Sequence, residues 1–126
     1  MDKLDKVFSE YIRLRDADEN GYVRCYCCGN PVHWTSAHAM HYVNRWHLGT
    51  RFDERNVHAG CVVCNCYNSG NIEAFEKHLI HEYGESIIDT FRLKKSILYN
   101  KTDIDTKDMM KHYKNEIKRL RKEKGL

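Results

Sequence analysis

The sequence predicts a small α+β domain in which helices flank a central segment of short strands. Apolar residues recur at helical spacing near the start of the chain and again after residue 64, but not in between. Two C-x-x-C pairs bracket that central segment. A chain of 126 residues suits one compact domain, which excludes a two-lobed enzyme with a separate cofactor domain.

The first segment is predicted to be a helix, because its apolar residues fall on one side of a helical repeat. These residues are Leu4, Val7, Phe8, Tyr11 and Ile12. Asp2 is suited to cap the N-terminus, and Asn20-Gly21 is typical of a turn after the helix. A turn is also expected at residues 29–31. Three short strands are predicted, at residues 22–25, 32–35 and 37–43.

Helical spacing returns after Cys64 and predicts three more helices. The first contains Ile72 to Tyr83 and is closed by Gly84. The second has its apolar positions at Ile87, Ile88, Phe91, Leu98 and Tyr99. The last covers residues 106–124. Residues 106–126 carry eight Lys and Arg side chains against three acidic ones, a net charge of +5, whereas the whole chain carries +3. We therefore divide the chain into a core domain, 1–84, and a helical extension, 85–126, with a basic last helix.

The two cysteine pairs predict a structural zinc site. Cys25 and Cys28 form the first C-x-x-C pair, and Cys61 and Cys64 form the second. Four thiolates complete the tetrahedral coordination of Zn²⁺, so such an ion stabilises the fold and has no open position for catalysis. Cys27 is an alternative to either member of the first pair. A secreted chain with three disulfides is the competing interpretation of six cysteines, and Cys66 is expected to be a small buried or half-buried residue.

Three further residues stand in a fixed order around the cysteine pairs. His41 lies near the end of a predicted strand, Asn56 precedes the second pair by five residues, and Asn65 follows that pair directly. This order matches the HNH (ββα-metal) nuclease motif, in which zinc knuckles hold two strands and a helix together. A zinc-stapled ββα-metal core, with an N-terminal helix and C-terminal helices, is therefore the expected architecture.

Phosphodiester hydrolysis gives each of these residues a role. It requires a base for water and a cation on the scissile phosphate. A neutral imidazole suits the base role near pH 7, and we assign it to His41. Asn56 is expected to hydrogen-bond backbone groups across the loop and to hold the His41 strand. Asn65 is expected to offer its carbonyl oxygen to Mg²⁺ or Mn²⁺. The competing role of His41 is that of a strand histidine that packs on the core or binds zinc. The competing role of the two asparagines is in turns or caps.

From Leu4 to about Tyr83 the chain resembles the phage lambda NinG (Rap) recombination proteins. The resemblance lies in ungapped blocks: residues 8–17, the Cys25-x-x-Cys28-Gly29 pair, residues 41–57, and the stretch from Cys61 to Asn71. It implies a structure-specific endonuclease that cuts branched DNA, including Holliday junctions and displacement loops, in phage recombination. The knuckles and the order of His and Asn also resemble the zinc-containing resolvase of the T4 endonuclease VII type.

One departure from that resolvase type concerns the catalytic cation. There, an acidic ligand directly precedes the base histidine, whereas this chain has Met40. His38 is a candidate second ligand, although alternation along a strand would point it away from His41 unless a bulge intervened. A second register, with His38 as the base, stays open.

DNA contacts are expected in two places. Arg45, His47 and Arg51 lie between the base strand and Asn56 and are suited to phosphate. The tail helix would add salt-sensitive affinity through four basic side chains, Lys118, Arg119, Arg121 and Lys122. The competing interpretation is that these basic side chains are surface charges that bind no partner. Because resolution of a junction needs two nicks, a homodimer is expected.

The composition excludes other classes and leaves two alternative functions. No apolar run approaches the roughly 18 residues of a membrane helix, and the first residues lack the apolar core of a secretory signal. A cytosolic protein is therefore expected, and the resemblance to the phage proteins implies that it is phage-encoded and acts in the host cytoplasm. The alternatives are a non-catalytic zinc DNA-binding module, which Met40 favours, and an HNH nicking endonuclease of packaging or defence.

Overall fold

A computed structural model describes residues 1–126 as a mixed α+β structure, which confirms the expected fold class. Five α-helices are present: α1 (Asp2–Asp16), α2 (Leu48–Arg51), α3 (Ile72–Tyr83), α4 (Ser86–Ser96) and α5 (Thr106–Lys124). The four strands are β1 (Tyr22–Arg24), β2 (Pro31–His33), β3 (His38–His41) and β4 (Val57–Gly60). A π-helical turn covers Val63–Tyr67, and a 3₁₀ turn covers Lys101–Asp103. None of the helices has the length and apolar character needed to cross a bilayer.

The helix boundaries follow the predictions except at the start of α1 and at the end of α4. Helix α1 begins at Asp2 with Met1 at the N-cap position and no side-chain cap, so the expected capping role of Asp2 is wrong. Helices α3 and α5 cover the predicted residues, and Gly84 ends α3 with a positive φ of 90°. The expected continuation of α4 to Leu98 and Tyr99 is wrong, because the helix stops at Ser96. Leu98 is 98% exposed. The helical spacing of apolar residues continues to Leu98, but the Leu98 side chain has no apolar surface to pack against.

Each of the two sheets is one antiparallel pair of strands. β1 pairs with β2, and β3 pairs with β4. In the second sheet Met40 lies opposite His58 and His41 lies opposite Val57. The pairing is continuous from His38 to His41, so β3 contains no bulge and its successive side chains alternate between faces.

The apolar residues form two clusters that meet at the β3–β4 sheet. The first joins α1 to α5 and includes Leu4, Phe8, Tyr113 and Leu120. The second surrounds the cysteines and is filled from α3 and α4. The last helix is also tied to α1 by Lys124, whose ammonium group donates to the carbonyl oxygens of residues 14, 15 and 17 at 2.6–3.0 Å. Residues from both sides of position 84 thus share a core, and the proposed domain boundary there stays a prediction.

Candidate functional site

Four cysteine side chains converge at the junction of the two C-x-x-C segments. The Sγ atoms of Cys25, Cys28, Cys61 and Cys64 all lie within 4.8 Å of one another. The Cys28 and Cys61 sulfurs are 3.7 Å apart. A tetrahedral ion with metal–sulfur bonds of about 2.3 Å has sulfur–sulfur edges of roughly 3.8 Å. The set therefore fits a structural metal ion such as zinc.

The other two cysteines lie outside this set, and all six are free thiols. Cys27 is buried, and its Sγ donates to the Gly70 carbonyl oxygen at 3.8 Å. Cys66 is exposed, so the expected burial of this residue is wrong, and its Sγ lies 4.0 Å from His38 Nδ1. The outer members of the first pair, rather than Cys27, thus face the second pair.

His41 ends β3 with its imidazole held by one hydrogen bond. Its Nε2 lies 3.0 Å from the carbonyl oxygen of Arg51. A carbonyl only accepts, so Nε2 carries the proton and Nδ1 keeps a free lone pair. Burial lowers the pKa of His41, and the Arg51 carbonyl opposes that effect only in part. The imidazole is therefore neutral at pH 7, as a general base must be.

Asn56 connects both ends of the loop that follows β3. The residue is fully buried, and its Oδ1 accepts from the Val43 N–H at 2.8 Å. Its Nδ2 donates to the carbonyl oxygens of Val43 at 3.0 Å and Thr50 at 3.1 Å. The backbone hydrogen bonds expected of Asn56 are present, and they fix the segment that carries Arg51 beneath His41. Its contribution to catalysis stays a prediction.

A cleft of about 380 Å³ opens beside His41. It is lined by Asp5, Phe8, Ser9, Ala39, His41, Asn44, Arg45 and Asn65. Two of the three predicted catalytic residues, His41 and Asn65, thus share one cleft with the basic Arg45. Asn56 stands behind it, in the supporting backbone network.

Asn65 lies in the π-helical turn directly after Cys64. Its Nδ2 lies 3.0 Å from His38 Nδ1 and donates to it, which leaves Oδ1 without a partner in the chain. His38 therefore orients the Asn65 amide. Ligation of a cation by His38, and its alternative role as the base, remain untested predictions. A π-helical turn is frequent at functional sites, since its extra residue displaces the following side chains.

Met40 does not face the cleft. It is 1% exposed and packs into the cluster that contains Cys25, Cys27 and Cys64. Its neighbours in sequence, Ala39 and His41, line the cleft instead, as strand alternation requires.

The only carboxylate lining the cleft belongs to Asp5, which the sequence analysis missed. Asp5 lies one turn before Ser9 on α1, and its charge opposes the lowering of the His41 pKa. Both Asp5 oxygens accept from the Arg51 guanidinium, with Arg51 Nε at 2.9 Å from Oδ1. No local pattern marks Asp5, because its role depends on how α1 packs on β3.

The residues predicted to contact DNA differ in their availability. Arg45 is exposed at the cleft, His47 precedes α2 and is half-buried, and Arg51 is paired with Asp5. On the tail helix, Lys118 and Lys122 are exposed. Arg119 bonds the carboxylates of Glu116 and Glu123, and Arg121 donates to the Leu126 carbonyl. Arg45, Lys118 and Lys122 are thus the most accessible of the predicted phosphate ligands.

The sequence of the chain is similar to those of phage proteins. A family model described as "Bacteriophage Lambda NinG protein" matches residues 1–123. Proteins named "Protein ninG" from Escherichia phage lambda, Salmonella phage P22 and Escherichia phage 933W are 33%, 34% and 34% identical over 89 residues. Those 89 residues cover 69% of this chain and 41% of each relative, so the chain matches less than half of their length. No solved structure matches it.

Removal of the Asn56 side chain is expected to destabilise the fold. Asn56→Ala removes the side-chain partner of the Val43 N–H and of the Val43 and Thr50 carbonyl oxygens. The loss of these hydrogen bonds costs about 3 kcal/mol of unfolding free energy. Urea denaturation followed by circular dichroism measures the change. Asn68→Ala removes an exposed amide and should stay within about 0.5 kcal/mol of the wild type. Equal stability of the two variants would contradict the proposed network.

The cysteine set is expected to hold one zinc ion per chain. Chelation, or Cys61→Ser, should remove the metal and abolish the cooperative thermal transition, because metal binding contributes directly to folding. Elemental analysis and thermal denaturation give the two readouts. Cys66→Ser is the matched control and should keep the full metal content. A metal-free wild-type chain with an unchanged melting transition would refute the assignment.

Proposed function

The chain belongs to the bacteriophage lambda NinG protein family, and from this premise we propose that it is a metal-dependent endonuclease of the HNH class that cuts branched DNA. Its substrates in this proposal are Holliday junctions and displacement loops formed in phage recombination. The observation that carries the proposal is His41, whose free Nδ1 belongs to a neutral imidazole in a cleft shared with Asn65 and Arg45.

His41 acts as the general base in this proposal. Its Nδ1 accepts a proton from the water that attacks the scissile phosphorus, while Nε2–H stays bonded to the Arg51 carbonyl. That carbonyl stabilises the imidazolium that forms. Asn56 keeps the carbonyl in place through its bond to Thr50, the residue before Arg51.

A divalent cation, Mg²⁺ or Mn²⁺, would neutralise the phosphate and the leaving oxygen. Asn65 Oδ1 and the Asp5 carboxylate are the oxygen donors that the cleft offers, and hard divalent cations prefer oxygen. In this proposal Asp5 is the acidic ligand of the cation, a role that belongs in the resolvase type to the residue directly before the base histidine. Arg51, its present partner, is then free to bond a phosphate oxygen of the substrate.

The remaining parts of the proposal concern the scaffold and DNA. Zinc on the four cysteines holds β4 and the Asn65 turn together, and Arg45 positions the DNA backbone at the cleft. Lys118 and Lys122 supply sequence-independent attraction along α5. Two nicks in one junction require two active sites, so a homodimer with a two-fold axis is part of the proposal.

A non-catalytic zinc DNA-binding module is the second candidate. The observation that favours it is the ion pair between Asp5 and Arg51, which occupies the carboxylate that a cation would need. A nicking endonuclease of packaging or defence is a third function, and it would share the same cleft.

Cleavage of a labelled four-way junction separates these functions. We expect paired nicks near the branch with Mg²⁺ or Mn²⁺, none when neither cation is added, and little cleavage of a linear duplex of the same sequence. His41→Ala should lower the rate by about 10²- to 10⁴-fold. His81→Ala, which removes an exposed imidazole on α3, should leave the rate unchanged. Tight binding without cleavage would establish the binding module, and equal cleavage of duplex would favour the nicking enzyme.

The single-turnover cleavage rate is expected to rise with pH and to reach half its maximum below pH 6.5. Burial favours the neutral His41 imidazole, so the active base persists below the ordinary histidine pKa of about 6.5 and is lost as pH falls through the lowered value. Rates measured from about pH 5 to pH 8 give the midpoint. The midpoint should be the same in Mg²⁺ and Mn²⁺. A midpoint that moves with the cation would instead indicate titration of cation-bound water.

A further inference from the structure

Trp46 is a large aromatic side chain without a partner in the chain. It is 79% exposed, in the loop between β3 and α2. Tryptophan is seldom left so open to water, because its indole is among the largest apolar surfaces in proteins. The other tryptophan, Trp34, is half-buried, and the guanidinium groups of Arg13 and Arg121 both lie over its ring. Trp46 makes no aromatic or cation–π contact.

The loop that presents Trp46 is held at several points. The backbone N–H of Trp46 donates to Asn44 Oδ1 at 3.1 Å, and the backbone N–H of His47 donates to the Asn44 carbonyl oxygen at 3.2 Å. At the start of the loop, Val43 exchanges two hydrogen bonds with the buried Asn56. The indole is therefore carried on an ordered turn, which reduces the entropy that its ordering on a ligand would cost.

The position of Trp46 links it to the proposed phosphate-binding cleft. Asn44 and Arg45, the two residues before it, both line the cleft that contains His41. Arg45 supplies a positive charge for the DNA backbone, and the exposed indole of Trp46 belongs to the next residue of the chain. A positive groove next to an exposed ring is the combination that binds single-stranded or unstacked nucleotides.

We propose that Trp46 stacks on a nucleobase exposed at a DNA branch point and so sets the preference for branched DNA. The inference rests on the proposed function and adds the side chain that distinguishes a branch from a continuous duplex. In an intact duplex both faces of each base are covered by its neighbours, and stacking on Trp46 would first require those contacts to be broken. At a branch, a base can present an open face without that cost.

The test uses DNA affinity without added Mg²⁺ or Mn²⁺, where cleavage is suppressed and the metal of the cysteine set is retained. Fluorescence anisotropy of labelled DNA should show that Trp46→Ala raises the junction Kd by about 5- to 150-fold, the range expected for loss of one stacked base. The Kd for a linear duplex of the same sequence should change less than about 2-fold. Trp46→Phe should restore most of the junction affinity. Leu98→Ala, which removes an even more exposed apolar side chain outside the cleft, should alter neither affinity.

A second measurement reports stacking directly. Trp34→Phe leaves Trp46 as the only tryptophan, and its emission should be quenched by saturating junction but much less by saturating duplex. The anisotropy measurement does not depend on the folding of this variant. Unchanged Trp46 emission on the junction, or equal loss of affinity for junction and duplex in Trp46→Ala, would overturn the inference.

The outcomes separate this inference from the proposed function. Junction cleavage that requires His41 but persists with full affinity in Trp46→Ala would refute the stacking role alone. Selective loss of junction affinity in Trp46→Ala, without cleavage under any cation, would refute the nuclease alone. Failure of the wild-type chain to bind either DNA would overturn both.

Discussion

The structure depends on keeping four sulfur atoms within 4.8 Å of one another. Its sheets are single pairs of strands with three or four residues each, and such hairpins are only marginally stable alone. Cys25 and Cys28 follow β1, whereas Cys61 and Cys64 follow β4, so their approach fixes one hairpin against the other. A backbone hydrogen bond from Tyr26 N–H to the Ala59 carbonyl, 3.1 Å long, joins the same two segments. Because Asn65 follows Cys64 directly, this constraint also sets where its amide meets His38 and the cleft.

A second constraint acts on the His41 side of the cleft. The segment from Val43 to Asn56 contains only the four-residue helix α2, and buried polar contacts order it in addition to the packing of Val43 and Phe52 on the apolar clusters. Asn56 bonds both of its ends, and Asp53, whose pKa is lowered to about 2, binds Arg55 and Lys94 although its burial opposes ionisation. Gly49 lets the segment lie against α4, since a Cβ there would come within 2.4 Å of the Lys94 carbonyl oxygen. The loop can therefore offer Arg45 and Trp46 to solvent while its own backbone stays fixed.

Local patterns in the sequence were sufficient for some features and insufficient for others. The spacing of the cysteines predicts which four come together, and helical periodicity predicts α3 and α5, because both signals are contained within a few turns of chain. The same periodicity fails at Leu98, where the spacing continues but no apolar surface lies opposite. Asp5 reaches the cleft only because α1 packs against the β3–β4 sheet, and the sequence of α1 does not specify that contact. The proton position on His41 likewise depends on the Arg51 carbonyl, ten residues away.

The absence of an acid before His41 has a geometric explanation in the regular pairing of β3. Since Met40 and His41 are consecutive in a strand without a bulge, they project from opposite faces, and Met40 belongs to the core around the cysteines. A carboxylate at position 40 would therefore lie in an apolar cluster, where desolvation strongly disfavours its charge. The carboxylate that the cleft contains comes instead from α1, and it is balanced by Arg51. With His41 neutral, Arg45 is left as the uncompensated charge at the cleft, and its sign is the one that attracts a phosphodiester.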